Sequence, residues 1–306
     1  MKLSSQEFSI LTQCALSAAY QAGHLIHSFQ NKRTAINVMK KTAGHTLASQ
    51  VVTQVDGMAQ ELILKALKPT CDLFDLALLT EETPDDLQRH QKDFFWCIDP
   101  LDGTLPFIEG TTGYAVSIAL VSQSGEPQIS VIYNPTHQIL LHSIKGQGAF
   151  YNGKPLVLKK MLKTNATPSP LASTQVLTVI MDRSFSQHPL FKKTMAELKV
   201  RALKQGYNQI KTIQQGGAIM NACWVLENAP ACYFKFPKPE VGGGSLWDYA
   251  ATAGLFKEAE VPVSDIRGRE LDLNRLDSTF MNHRGILYAS EYKIAEMVKE
   301  LYQSLL

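Results

Sequence analysis

The sequence predicts a mixed α/β protein, and three patterns carry that expectation: an amphipathic N-terminal helix, a ladder of short apolar strands over residues 114–151, and alternating strands and helices beyond residue 176. At 306 residues the chain is long enough for two abutting halves around a deep cleft. In the first segment Phe8, Leu11, Ala15, Ala18, Ala22, Leu25 and Phe29 recur three and four apart, interrupted by Gln13, Gln21 and His24, which reads as an amphipathic helix and not a signal peptide. Residues 40–50 mix Lys, Gly, His, Thr and Ser without a period and read as a mobile loop whose two lysines can meet an anion. Asp56 follows the extended stretch 51–55 and precedes Met58, Leu62, Ala66 and Leu67, a helical spacing expected to stop at Pro69. Asp56 is therefore placed at a strand-to-helix corner. Two further apolar strands, 76–79 and 94–98, run into Glu81 and Glu82 and into Asp99-Pro100-Leu101-Asp102-Gly103-Thr104, so that each ends in carboxylates.

Residues 114–121, 129–133, 139–144 and 149–151 are strands separated by Ser-Gly, Asn-Pro-Thr and Gly-Gln-Gly turns, the pattern of an antiparallel meander. The polar stretch 159–170 is the best boundary, dividing an α+β half, 1–160, from an α/β half, 161–306. The second half reads as strand 176–181, helix 190–200, helix 218–226, strand 231–236 and, after Gly242, Gly243 and Gly244, helix 246–258. There is no internal repeat and no low-complexity tract.

The 45% hydrophobic and 19% charged content is that of a soluble globular protein. Lys and Arg number 30 against 28 Asp and Glu, without a basic block, so neither a nucleic-acid polymer nor a membrane is an expected partner and any anionic ligand must be held locally. Cys14, Cys71, Cys97, Cys223 and Cys232 lack C-x-x-C spacing and sit mostly in apolar runs, as expected of buried thiols in a reducing compartment. With no apolar run of membrane-spanning length, a cytoplasmic protein is expected.

Between Asp93 and Ile144 there is no Lys or Arg, yet Asp99 and Asp102 stand three apart after a strand too apolar to be exposed. Two such carboxylates must face water, share a proton or bind a cation. Alone, they would read as a solvated turn; with Gly103 and Thr104 following, backbone N–H groups and a hydroxyl for an anion adjoin a cation site. Oxygen donors of this kind suit magnesium, and no His or Cys cluster with zinc spacing occurs.

The Asp99–Thr104 run, Thr80-Glu81-Glu82 upstream and Leu246-Trp247-Asp248-Tyr249-Ala250-Ala251 downstream together resemble the inositol monophosphatase superfamily, a likeness extended by residues 52–56 and Gly216-Gly217-Ala218. The resemblance implies the layered αβαβα sandwich of sugar phosphatases and a phosphatase acting on a small phosphorylated metabolite. It implies that Glu81, Asp99, the Leu101 carbonyl, Asp102 and Asp248 bind two or three Mg2+ ions, that Asp56 and Thr104 orient the attacking water, and that lithium inhibits by replacing one magnesium. By itself Asp248 would read as an acid favoured by a helix N-terminus. Gly103 and Thr104 are expected at the phosphate and Gly216, Gly217 and Ala218 at the substrate. Glu82, beside Glu81 on a strand and so facing the other way, is expected to support the site without touching metal. The oligomeric state stays open, a homodimer among the alternatives.

Two features depart from the family. An acidic residue that binds a substrate hydroxyl follows the two aromatics of the strand before the Trp-Asp motif in inositol monophosphatases; here Tyr233 and Phe234 are followed by Lys235. A cation there favours a second anionic group on the substrate, although a plain surface lysine would look the same. Residues 105–109 carry Phe-Ile like the bisphosphate nucleotidase branch, and residues 236–245, with Lys238 and three glycines, lengthen the substrate wall. The expected lead substrate is thus a 3'(2'),5'-bisphosphate nucleotide; the alternatives are an inositol monophosphate, a sugar bisphosphate and a binding protein on the same scaffold.

Overall fold

The computed structural model describes residues 3–30, 38–40, 51–156 and 176–306. The loop expected at 40–50, apart from Lys40, and the boundary at 159–170 lie outside the described residues.

Helix α1 (Ser5–Gln30) buries Leu11, Ala15, Ala18, Ala22 and Ile26 along one stripe, against Val55, Ala59, Ile63 and Leu67 of α2 (Gln54–Phe74). Strands β1 (Val38–Lys40) and β2 (Val51–Thr53) pair antiparallel just before α2. The break expected at Pro69 does not occur, because α2 continues through it to Phe74. Thr70 anchors that last turn: its hydroxyl donates to the Leu67 carbonyl at 2.6 Å and accepts from Trp96 Nε1 at 2.9 Å, offsetting the ladder bond that proline removes.

The helix pair covers one face of a seven-stranded sheet. Its strands are β3 (Ala77–Thr80), β4 (Phe94–Asp102), β5 (Ala115–Ser122), β6 (Pro127–Asn134), β7 (Ile139–Ile144), β8 (Gly148–Tyr151) and β9 (Lys154–Pro155), neighbours in that order. Only β3 and β4 run parallel; the remainder is the expected meander. Strand period two puts Trp96, Ile98, Val116, Ile118 and Leu120 under α1 and α2, and Phe95, Cys97, Ala119 and Val121 on the opposite face. At Gly23 a side chain would collide with the Tyr133 ring, so glycine sets how closely α1 lies on β6.

Short helix α3 (Thr104–Glu109) follows β4. The second half supplies β10 (Val176–Ile180), α4 (Phe191–Lys204), β11 (Gln209–Ile213), α5 (Ala218–Glu227), β12 (Ala231–Lys235), α6 (Leu246–Glu258), β13 (Val263–Ser264), β14 (Ile286–Ala289) and α7 (Tyr292–Leu305). Its sheet has the order β11-β10-β12-β14-β13. Helices α5 and α6 are apolar almost all round because they lie between the two sheets, while α4 and α7 cover the outer face with Leu198, Ala202, Ile294 and Val298. The result is the five-layer αβαβα sandwich. Of the cysteines, Cys97, Cys223 and Cys232 are buried and Cys14 and Cys71 only partly so, which corrects the expectation of five interior thiols; all five are free.

Candidate metal centre

Residues three apart on a strand point to opposite faces, so regular pairing would separate Asp99 from Asp102. The pairing is not regular: Asp99 lies opposite Ser117 and Asp102 opposite Ala115, three residues advancing on β4 for two on β5. This bulge turns Leu101 into the core beneath α1 and α2 and brings both carboxylates to the face covered by α5 and α6. The motif, read as following the strand, is thus the bulged end of β4 itself.

Asp99, Asp102 and Asp248 each bring a carboxylate oxygen within 4.8 Å of the others. Asp102 is held by the N-terminus of α5, accepting from Ala218 N–H at 3.1 Å and Ile219 N–H at 2.7 Å. Asp99 Oδ1 accepts from Leu101 N–H at 3.0 Å, while its buried Oδ2 has no hydrogen-bond partner among the described residues. Asp248, in the first turn of α6, accepts from Ser245 N–H at 2.5 Å.

These groups are costly to ionise together. Burial, then Glu81, Asp102, Asp248 and Asp56, holds Asp99 well above the usual carboxylate range. Burial and then Asp248 raise Asp102 against its two amide donors. Burial and Glu81 push Asp248 up to about 7, with Lys235 pulling the other way. A hard divalent cation fits: the donors are all oxygens, one buried oxygen is unpartnered, and like charges converge with too little positive charge to balance them.

The other expected residues gather at the same place. Glu81 and Glu82 are half-buried in the turn after β3, and Glu81 acts on all three aspartates. Gln60 of α2 fixes this turn, bonding the hydroxyls of Thr80 and Thr83. Asp56 is buried in the first turn of α2, at the predicted corner. Thr104 donates to the Leu101 carbonyl at 3.3 Å. Gly103 has φ +82°, and a Cβ there would lie 2.5 Å from the Gly113 carbonyl oxygen, so only glycine allows this approach. Glu81, Glu82, Gly103, Thr104 and the three aspartates, but not Asp56, line a cleft of about 1210 Å³, together with Gly216, Gly217, Ala218, Lys235 and Trp247. Gly217 and Ala218 are there as the seat of Asp102.

Lys235 differs most from its reading. It faces the cleft, but its ammonium is 2.6 Å from Asp182 Oδ2 and 3.3 Å from the Gly243 carbonyl, over the rings of Tyr233 and Tyr249. Burial would lower this lysine, yet Asp182 and Tyr249 raise it. It is not a plain surface lysine: it lines the cleft, with its charge already paired. Asp182 also accepts from Tyr233 Oη at 2.8 Å and Asn221 Nδ2 at 3.2 Å. Sequence reasoning missed Asp182, although it ends the apolar run of β10 as Asp99 ends that of β4.

Comparison with known proteins places these motifs in one lineage: the Inositol monophosphatase family matches residues 8–305. The chain belongs to the Inositol monophosphatase family. Relatives in the family include Nus factor SuhB of Xylella fastidiosa, 28% identical over 86% of this chain and 83% of that protein. Inositol monophosphatase 2 of Mus musculus is 28% identical over 89% of both. The 3'(2'),5'-bisphosphate nucleotidase CysQ of Salmonella typhimurium is 29% identical over 76% of this chain and 82% of that one. Among solved structures, extragenic suppressor protein suhB from Bartonella henselae superimposes with a TM-score of 0.70 at 22% identity, covering 99% of this chain and 100% of that one, and so shares the fold.

Proposed function

We propose that the chain is a magnesium-dependent phosphomonoesterase acting on a small phosphorylated metabolite, with a 3'(2'),5'-bisphosphate nucleotide as lead substrate. The observation that carries the reading is the carboxylate cluster at the cleft floor with its unpartnered Asp99 Oδ2. Asp99, Asp102, Asp248, Glu81 and the Leu101 carbonyl would hold two or three ions. Bound there, Mg2+ would polarise phosphoryl oxygens and acidify a water. The protein's share is geometric: the α5 amides fix Asp102, Ser245 fixes Asp248, and Thr104 with the buried Asp56 supplies a hydroxyl and an acceptor to orient a water in line with phosphorus. Glu82 borders the site from the adjoining turn.

A cleft larger than a typical small-molecule pocket supports the nucleotide, and a bisphosphate nucleotidase, CysQ, is among the relatives. An inositol monophosphate is the second reading, favoured by the Asp182 carboxylate, an acceptor for a substrate hydroxyl in the cleft wall. Phosphate release from adenosine 3',5'-bisphosphate, inositol 1-phosphate and fructose 1,6-bisphosphate, with magnesium and with excess chelator, tests both. Preference for the nucleotide sustains the lead; preference for inositol phosphate keeps the metal chemistry and replaces the substrate. Absence of magnesium-dependent release from all three would overturn the reading in favour of a binding role.

A further inference from the structure

The cleft wall contains Arg183, Lys235 and Lys238, and two of these are committed among the described residues. Arg183 makes two bonds of 2.6 Å to Glu109, and Lys235 is paired with Asp182. Lys238 has no acidic partner among the described residues. Its backbone is nevertheless fixed: its N–H donates to the Asn282 carbonyl at 2.9 Å and its own carbonyl accepts from Asn282 Nδ2 at 3.2 Å, the same amide that bonds Glu240. Arg275 in turn donates to Asn282 Oδ1 at 3.1 Å.

The side chain also has a prepared course. It runs over Gly242 and Gly243, where a Cβ would lie 3.3 Å from Lys238 Nζ and 3.4 Å from its Cε. With Gly244, these residues adopt φ values of +120°, +83° and +94°, which admit glycine and little else. The far end of the strap is fastened by Met281 N–H to the Gly244 carbonyl at 2.9 Å. An unpaired ammonium is thus carried on an anchored backbone at the wall of the cleft whose floor holds the carboxylates.

Resting on the phosphatase reading above, we propose that Lys238 binds a second phosphate of the substrate and so makes the cleft selective for bisphosphorylated over monophosphorylated metabolites. Lys235 supplies less, because Asp182 already offsets its charge. A phosphate dianion with no counter-charge in the wall would face the acidic floor alone.

The test compares adenosine 3',5'-bisphosphate with adenosine 3'-monophosphate, which keeps the scissile ester and lacks the second phosphate, on the full chain with magnesium. Lys238→Gln is expected to lower kcat/KM for the bisphosphate about tenfold, through KM, while leaving the monophosphate within about twofold, and Lys238→Arg to retain most of the preference. Equal losses on both compounds, or none, would overturn the proposal. Should the wild type hydrolyse neither, the nucleotide reading fails and Lys238 is judged by calorimetric binding of adenosine 3',5'-bisphosphate. There a tenfold weaker Lys238→Gln sustains it, and equal affinity or no binding by either protein rejects it.

Discussion

The Asp102 carboxylate fills the space that a side chain at position 217 would take: a Cβ on Gly217 would lie 2.5 Å from Asp102 Oδ1 and 2.6 Å from its Cγ. The next two residues send their N–H groups to the same carboxylate. A candidate metal ligand on one sheet is thus set by a helix start from the other half of the chain.

Gly217→Ala is therefore expected to displace Asp102 before it disturbs the fold. Overpacking should cost about 1–3 kcal/mol in a thermal melt, and Mg2+ affinity by calorimetry should fall at least tenfold. Unchanged affinity would mean that the carboxylate has another seat.

Asp99 is buried with one unpartnered oxygen among four other carboxylates. Asp99→Asn removes a repelled charge while keeping the shape, so the chelator-treated variant should melt above the wild type. Turnover should fall on the order of a thousandfold, since several kcal/mol of charge stabilisation leave with the ligand. Magnesium should no longer raise the melting temperature.

The pH dependence follows from Asp248. Its folded pKa of about 7 lies above the ordinary value of 3.8, so its contribution to stability is fully present below pH 3.8 and is lost as pH rises through 7. Histidines lowered by burial, such as His142, act in the opposite sense, so the informative quantity is the difference between the wild type and Asp248→Asn. Without metal, the wild type should lose stability relative to the variant between pH 5 and 8. A constant difference across that range would refute the assignment.

Asp182→Ala leaves the Lys235 ammonium beneath the surface without its partner. With 17% and 28% of the two side chains exposed, the loss should be at the low end of the range for a broken buried pair, up to about 3 kcal/mol. The Asp182→Ala, Lys235→Met double variant should recover part of it in urea melts.

Much of this was legible in the sequence because periodicity reports burial. The alternations of α1 and of the meander strands gave those elements, and the helices at 218–226 and 246–258 were legible as helices, although their place between the two sheets was not. Asp99 and Asp102 were legible because they follow an apolar strand with no cation nearby in sequence, whereas Asp248, at a helix start, was legible only through the family resemblance. What escaped depends on register and on pairs distant in the chain. The bulge at Asp99 and Asp102 is a property of the β4–β5 pairing and leaves no mark in β4 alone. The Asp182–Lys235 pair spans 53 positions, and local spacing cannot show it. Residues 286–289 and 292–305 form β14 and α7 and were not delineated, although Asn282 and Gly285, the latter at φ +64°, mark a turn just before the first.

The order in which the chain leaves the ribosome gives the burial of α5 and α6 between the sheets a temporal meaning. A nascent chain of about 180 residues already carries Asp56, Glu81, Asp99 and Asp102, but not the amides of Ala218 and Ile219 or the carboxylate of Asp248. One face of its first sheet still awaits its helices. The cluster is therefore completed only late in synthesis, and an unfinished chain lacks the full set of converging carboxylates.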